Sequence, residues 1–121
     1  GASVNVIGKH AGAMVKAADL GVNHDFEPDL PIFHKKIRYG TANFTKEPAM
    51  TRQEAILSIE AGIEIVNELS AEALIDLLGT GDMGIGNTTP SSAIIAAFSG
   101  IEVEKLTGRG TGIDDQTLKT K

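Results

Sequence analysis

An α/β fold, with parallel strands flanked by helices, is the fold class that this sequence of 121 residues predicts. The near-continuous apolar run at residues 74–78 is typical of a strand in a parallel sheet that is covered on both faces. The apolar residues of 51–69 instead recur at the spacing of an amphipathic helix. A glycine-rich turn at residues 79–86 then leads from the predicted strand into another helix start. This alternation of strands and helices indicates an α/β protein.

The N-terminal part of the chain predicts one helix and one strand. Residues 3–11 are expected to form a short helix with Ser3 as its N-cap and Gly12 at its end. The mostly apolar residues 14–20 predict a strand, and Asp19 stands near its end. An Asp in that position is either a functional group or the cap of a turn, and the sequence leaves both interpretations open.

Residues 22–50 are predicted to be an irregular loop, because prolines and a glycine interrupt them. A loop of this length in a compact domain is usually functional or mobile. Its residues 35–38, Lys-Lys-Ile-Arg, are the most basic stretch of the chain. They could meet a phosphate, but we favour a solvated loop face.

The middle of the chain predicts a long helix. Thr51 and Glu54 have the spacing of a capping box, in which each side chain binds the backbone N–H of the other residue. We therefore expect a helix over 51–69, whose apolar stripe indicates a core face and not a cofactor site.

Glycine and proline also delimit the C-terminal helices. Residues 90–98 are predicted to be helical, with Pro90 at the first position and Gly100 beyond the end. Residues 101–107 are a candidate for a further strand. A second glycine-rich turn, residues 108–112, precedes a last helix that Asp114 or Asp115 would cap.

Composition excludes several classes of function. Sixteen acidic and eleven basic residues give a net charge of −5, which argues against nucleic-acid binding. The chain has no Cys, so a disulfide scaffold, a thiolate nucleophile and a zinc ribbon are excluded. No apolar run reaches the length of a membrane span, and we expect a cytoplasmic protein with no membrane partner.

The glycine-rich turn carries the strongest functional signal. Glycines let the backbone approach a ligand closely, and a helix N-terminus offers N–H groups to an anion. This predicts a nucleotide or sugar-phosphate site. Gly79, Gly81 and Gly84 also match the G-x-G-x-x-G pattern of dinucleotide-binding domains. That alternative is disfavoured because Pro90 delays the helix beyond the place where the pattern requires it.

The three histidines and Met83 are further candidates for ligand contacts. His10, His24 and His34 lie too far apart in sequence to predict a metal site, and we expect neither a metal nor a cofactor. A methionine inside a glycine-rich turn is unusual. Met83 either touches a flat apolar ligand or folds back beneath the loop.

Residues 81–90, Gly-Asp-Met-Gly-Ile-Gly-Asn-Thr-Thr-Pro, resemble the motif of nicotinate-nucleotide–dimethylbenzimidazole phosphoribosyltransferases. Residues 17–22, 36–51 and 108–115 resemble other segments of the same family, so that the resemblance covers essentially the whole chain. It implies a Rossmann-like α/β domain and a homodimer. It also implies a pentosyltransferase that moves phosphoribose from nicotinate mononucleotide to a benzimidazole-type base in cobalamin biosynthesis.

The resemblance further implies roles for individual residues. The phosphate and ribose of the mononucleotide would be held by Gly84, Gly86, Asn87, Thr88 and Thr89. Gly110 would approach the same ligand, and Lys121 would contact it near the phosphate. Met83 would touch the benzimidazole, and Asp82 takes the place of a family Glu at the reaction centre.

One departure from the family bears on activity. The family's C-terminal general-base Glu has no counterpart among these residues, and Asp82 is one methylene shorter than the Glu it replaces. We expect residues 1–121 to form a single α/β domain, a segment of a longer enzyme, that binds nucleotide but transfers poorly or not at all alone. The alternative is a non-catalytic nucleotide-binding module derived from the same family.

Overall fold

The computed structural model describes residues 2–84, 86–110 and 112–120, and the chain divides into two compact units. The N-terminal unit, residues 1–76, contains α1 (Ser3–Ala11), β1 (Ala18–Asp19), β2 (Phe33–His34) and α2 (Arg52–Glu72). The C-terminal unit, residues 77–121, contains α3 (Thr88–Ser99), α4 (Val103–Leu106) and α5 (Asp115–Thr120). The predicted α/β class is confirmed, with a small parallel sheet accompanied by helices.

The sheet consists of β1 and β2, which pair in parallel with Ala18 opposite Phe33. The Phe33 N–H donates to the Ala17 carbonyl over 2.9 Å, and the Lys35 N–H donates to the Asp19 carbonyl over 3.0 Å. Only two of the residues 14–20 are in the strand, and the partner strand lies inside the predicted irregular loop. A two-residue strand is too short to leave a periodic signal in the sequence.

Helix α2 begins as its capping box predicts. The Thr51 N–H donates to Glu54 Oε2 over 2.7 Å, and the Glu54 N–H donates to Thr51 Oγ1 over 3.2 Å. The helix continues to Glu72, three residues beyond the predicted end, and buries Ala61.

Helix α1 has the predicted extent but a different N-cap. Ala2 holds that position in an extended conformation, and no side chain caps the helix. The prediction of Ser3 as N-cap is therefore wrong, because Ser3 already lies inside the first turn. Gly12 ends the helix in the left-handed conformation, as expected, with φ of 68°.

Two strand predictions are wrong. Residues 74–78 form no strand, and Leu77 is 92% exposed. A strand needs a neighbour for its backbone hydrogen bonds, and no strand in the described part of the chain pairs with this run. Residues 103–106 form α4 and not a strand, and an ion pair between Glu102 and Lys105, spaced i,i+3, supports the helical turn.

In the C-terminal unit, α3 begins at Thr88, so that Pro90 is its third residue and not its first. Gly100 ends α3 in the left-handed conformation, as predicted. The last helix also matches its prediction, because Asp114 Oδ1 accepts the Thr117 N–H over 2.7 Å. Within the described ranges, no helix combines the length and apolar character needed to cross a bilayer.

Candidate functional site

An open cleft of about 400 Å³ lies in the C-terminal unit, where the two glycine-rich turns meet. The first turn and the start of α3 contribute Gly86, Thr88 and Thr89. The second turn and its exit contribute Arg109, Gly110 and Ile113, and α5 contributes Thr117 and Thr120. The four threonines and Arg109 among these residues offer hydroxyl and guanidinium groups to a polar ligand.

The first wall of the cleft is the start of α3. Gly86 has φ of 84°, a conformation that side chains disfavour, and this turns the chain into the helix. Asn87 is the N-cap residue, although its side chain makes no capping bond. Thr88 and Thr89, the first two residues of α3, line the cleft. The cleft therefore borders the helix end at which an anion is electrostatically favoured.

The second wall is the turn that contains Gly110, whose φ is 58°. The Arg109 side chain spans this turn. Its Nη1 donates to the Ile113 carbonyl over 2.9 Å, and its Nη2 pairs with Asp115 at the start of α5. These contacts link the turn to α5, and the Arg109 side chain lies on the lining of the cleft.

The sequence-predicted site residues divide into two groups. Gly86, Thr88, Thr89 and Gly110 come together on the cleft, whereas Asn87, the N-cap of α3, is not among the described lining residues. The described lining does not include Asp82, Met83 and Gly84, which are exposed in a segment without helix or strand. The predicted residue Lys121 lies outside the described residues.

Sequence reasoning missed Arg109, the charged residue among those that line the cleft in the described part of the chain. An arginine inside a glycine-rich turn was an available signal, because turn glycines leave a neighbouring side chain accessible to ligand. Thr117 and Thr120 carried no such signal, since a threonine in a short terminal helix is usually a surface residue.

Asp19 is a structural residue of the N-terminal unit. Its Oδ1 accepts the N–H groups of Gly21 and Val22 over 3.0 and 2.8 Å, and its Oδ2 pairs with Lys36 Nζ at 2.7 Å. Burial by itself raises the pKa of Asp19, but the Lys36 ammonium and the two N–H groups favour the carboxylate more strongly. The pKa of Asp19 therefore lies below its usual value. Of the two interpretations left open, these contacts support the turn cap.

The basic residues 35–38 are paired with carboxylates of their own unit. Lys35 bridges Glu64 and Glu68 of α2, at 3.1 and 2.7 Å. Arg38 pairs with Glu54 at 3.3 Å. Contacts inside the unit thus account for these cations, which supports the loop-face interpretation over a phosphate site.

No metal-binding arrangement is present within residues 2–84, 86–110 and 112–120, where no three His, Asp or Glu side chains are grouped to hold an ion. His24 instead meets Phe26 edge-on, with the ring centroids 5.3 Å apart.

Comparison with known proteins gives the same family over the whole chain. The family model described as phosphoribosyltransferase, DBI_PRT, matches residues 1–121. A nicotinate-nucleotide–dimethylbenzimidazole phosphoribosyltransferase of Geobacter sp. (strain M21) is 56% identical over 121 residues, which are 100% of this chain and 34% of that protein. The protein of the same name from Geobacter sulfurreducens is 53% identical over the same shares.

The solved structures agree with these relatives. CobT from Thermus thermophilus superposes with a TM-score of 0.92 at 39% identity, covering 98% of this chain and 35% of that one. This chain spans about a third of the length of the relatives it matches. The match of the family model to every residue shows that the chain belongs to the DBI_PRT family of phosphoribosyltransferases.

Proposed function

We propose that this chain carries the mononucleotide-binding part of an enzyme that transfers phosphoribose from nicotinate mononucleotide to 5,6-dimethylbenzimidazole or a related base. The product would be α-ribazole 5'-phosphate, used for the lower ligand of cobalamin. One observation carries the proposal. The two glycine-rich turns meet in a single cleft, in a chain that is 56% identical over 121 residues to a protein named for this reaction.

The proposed binding roles follow the walls of the cleft. Gly86, Thr88 and Thr89 line the first wall and would hold the phosphate and ribose through backbone and hydroxyl groups. Gly84 and Asn87, which are not among the described lining residues, would contact the same ligand when it binds. The other wall brings Gly110 to the same ligand, because a residue without a side chain permits close approach. Lys121 would contact the ligand near its phosphate.

The reaction breaks the bond between the ribose C1′ and the nicotinate nitrogen, and nicotinate leaves with the electron pair. Positive charge develops on the ribose, and the Asp82 carboxylate would stabilise it. A benzimidazole nitrogen then bonds to C1′, and a general base removes the proton from the other nitrogen. Met83, which is 73% exposed, would contact the flat base before attack.

The general base of this family has no counterpart among the 121 residues. We therefore propose that these residues act as one α/β domain, a segment of a longer cytoplasmic enzyme that works as a homodimer. On their own they bind the mononucleotide without completing transfer. The alternative is a nucleotide-binding module without catalysis, which retains the cleft and has lost the base.

Calorimetric titration of the chain with nicotinate mononucleotide tests the binding half of this proposal, with NAD as the control ligand. We expect saturable binding of the mononucleotide, weakened by Asn87→Ala and unchanged by Asn67→Ala on the exposed face of α2. Binding of NAD in preference to the mononucleotide would instead indicate a dinucleotide site. Absence of binding to both ligands would contradict an assembled cleft.

A transfer assay separates the enzyme from the module. The assay follows release of nicotinate in the presence of dimethylbenzimidazole, both with the isolated chain and with the longest polypeptide that its gene encodes. Transfer by the longer polypeptide supports the enzyme. Binding without transfer by every form would support the module, and robust transfer by the 121 residues alone would refute the need for another base.

A further inference from the structure

Arg109 lies on the lining of the cleft, yet both ends of its guanidinium already have partners inside the protein. We propose that Arg109 binds the phosphate of the substrate and that it does so by exchanging its ion pair with Asp115 for the phosphate. This inference rests on the proposed function, because it assigns a residue and an exchange of partners to the same cleft.

The geometry permits the exchange. Arg109 Nη1 donates to the Ile113 carbonyl over 2.9 Å, and Nη2 pairs with Asp115. A guanidinium has five N–H donors, so these contacts leave donors for a ligand. The bond to Ile113 can persist while Nη2 changes partner. The side chain would thus stay anchored to its turn and need not be ordered anew when the phosphate arrives.

The ion pair is also weak enough to be given up. Arg109 is 51% exposed and Asp115 is 81% exposed, so water and salt screen their attraction. A phosphate presents three acceptor oxygens with more charge than one carboxylate, and it matches the fork of a guanidinium. Released Asp115 returns to water, where a carboxylate is well solvated.

The positive charge of Arg109 should make the cleft prefer phosphorylated ligands. The whole chain has a net charge of −5, which disfavours anions at a distance. Among the described residues that line the cleft, Arg109 is basic and none is acidic. In the absence of ligand, the Asp115 carboxylate therefore pairs with the Arg109 guanidinium, and the substrate phosphate takes its place on binding. A nucleoside without phosphate would gain nothing from Arg109.

The test is calorimetric titration of the wild-type chain and two variants, Arg109→Gln and Asp115→Asn. Three ligands are used, namely nicotinate mononucleotide, nicotinate riboside and ribose 5-phosphate. We expect Arg109→Gln to weaken both phosphorylated ligands by about tenfold or more and to leave the riboside unchanged. Asp115→Asn should tighten the phosphorylated ligands by roughly twofold to fivefold, because it removes the competing anion.

A purely structural role for the pair gives the opposite pattern. If Arg109 and Asp115 only stabilise the second turn, both variants will weaken the binding of all three ligands to a similar extent, and the inference is overturned.

Arg109→Lys should recover part of the affinity for phosphorylated ligands, since lysine keeps the positive charge but lacks the forked guanidinium. Lys105→Gln is the matched control, because Lys105 forms an exposed ion pair with Glu102 in the same unit. Circular dichroism confirms that each variant is folded.

The outcomes separate this inference from the proposed function. Ribose 5-phosphate binding that depends on Arg109, without mononucleotide binding, upholds the phosphate contact and contradicts the proposed substrate. Mononucleotide binding that is indifferent to Arg109→Gln upholds the substrate and overturns the contact. No binding of any phosphorylated ligand by the wild-type chain overturns both.

Discussion

The Ser92 hydroxyl of α3 lies 3.1 Å from the carbonyl oxygen of Leu106, the last residue of α4. The same hydroxyl lies 2.9 Å from the Thr88 carbonyl in the first turn of its own helix. Leu106 is two residues before the second glycine-rich turn, and Thr88 lines the cleft. One buried hydroxyl therefore links the start of α3, which lines the cleft, to the end of α4, which precedes the second glycine-rich turn.

Ser92→Ala should loosen this connection. The substitution leaves the Leu106 carbonyl without its side-chain donor in a partly buried place, and we expect the free energy of unfolding to fall by about 1 kcal/mol. The affinity for nicotinate mononucleotide should fall by several-fold, since one wall moves relative to the other. Urea unfolding and calorimetry measure the two effects.

The matched control for Ser92 is Ser58, which makes the same bond to the fourth preceding residue, the Glu54 carbonyl, over 2.8 Å within α2. Ser58→Ala should leave mononucleotide affinity unchanged, because Ser58 lies in the other unit. Equal losses of affinity in the two variants would show that Ser92 acts only through general stability.

Features encoded over a few neighbouring residues could be predicted from the sequence. The capping box of Thr51 and Glu54 and the left-handed ends at Gly12 and Gly100 need only local backbone geometry, and all of them are present. The strands were harder to predict from the sequence, because strand pairing joins residues that are far apart in sequence. Neither the partner strand at Phe33–His34 nor the exposure of Leu74, Leu77 and Leu78 has a local signature.

The candidate site shows the same division. The glycines that line the cleft, Gly86 and Gly110, could be identified because they stand in glycine-rich turns that resemble family motifs, and both have positive φ in the structure. The part played by Arg109 could not, since it depends on where α5 places Asp115. The contact of Ser92 with Leu106 also could not be predicted from the sequence, because a serine within a helix normally bonds only to its own helix.

The ion pair of the buried Asp19 with the half-buried Lys36 should contribute substantially to the stability of the N-terminal unit. Asp19 is 3% exposed, and Lys36 Nζ also donates to the carbonyls of Val22 and His24. Asp19→Asn would leave the ammonium without its counter-charge. We expect a loss of about 2 kcal/mol, below the range for fully buried pairs because Lys36 retains some contact with solvent.

Urea unfolding monitored by circular dichroism measures that loss. Glu102→Gln is the control, because it breaks an exposed ion pair with Lys105 and should cost less than about 0.5 kcal/mol. If Asp19→Asn costs no more than the control, then the Asp19 pair does not stabilise the fold.

The pKa of Asp19 also predicts an acid-sensitive stability. In the folded chain the pKa lies below its usual value of 3.8, whereas in the unfolded chain it returns to that value. The unfolded state therefore binds a proton more readily. The stabilisation by Asp19 is fully present above the usual pKa and is lost as the pH falls through the lower folded pKa.

Unfolding free energies measured at a series of pH values between about 6 and 2.5 test this dependence. Wild type should lose stability more steeply below about pH 4 than Asp19→Asn, which has no proton to gain at that position. Parallel pH profiles for the two proteins would assign the acid sensitivity to other carboxylates.

Met83 should determine affinity for the aromatic base and not for the mononucleotide. It is 73% exposed and is not among the described residues that line the cleft, so Met83→Ala should leave the free energy of unfolding and mononucleotide binding unchanged. A thioether contact with an aromatic ring contributes about 0.3–1.5 kcal/mol, which predicts a loss of roughly twofold to tenfold in dimethylbenzimidazole affinity. Fluorescence titration with dimethylbenzimidazole at saturating mononucleotide measures this loss of affinity.

Met14→Ala is the matched control, since Met14 is 76% exposed in the N-terminal unit and its substitution should change neither affinity. Equal base affinity in the wild type and Met83→Ala would remove Met83 from the base site.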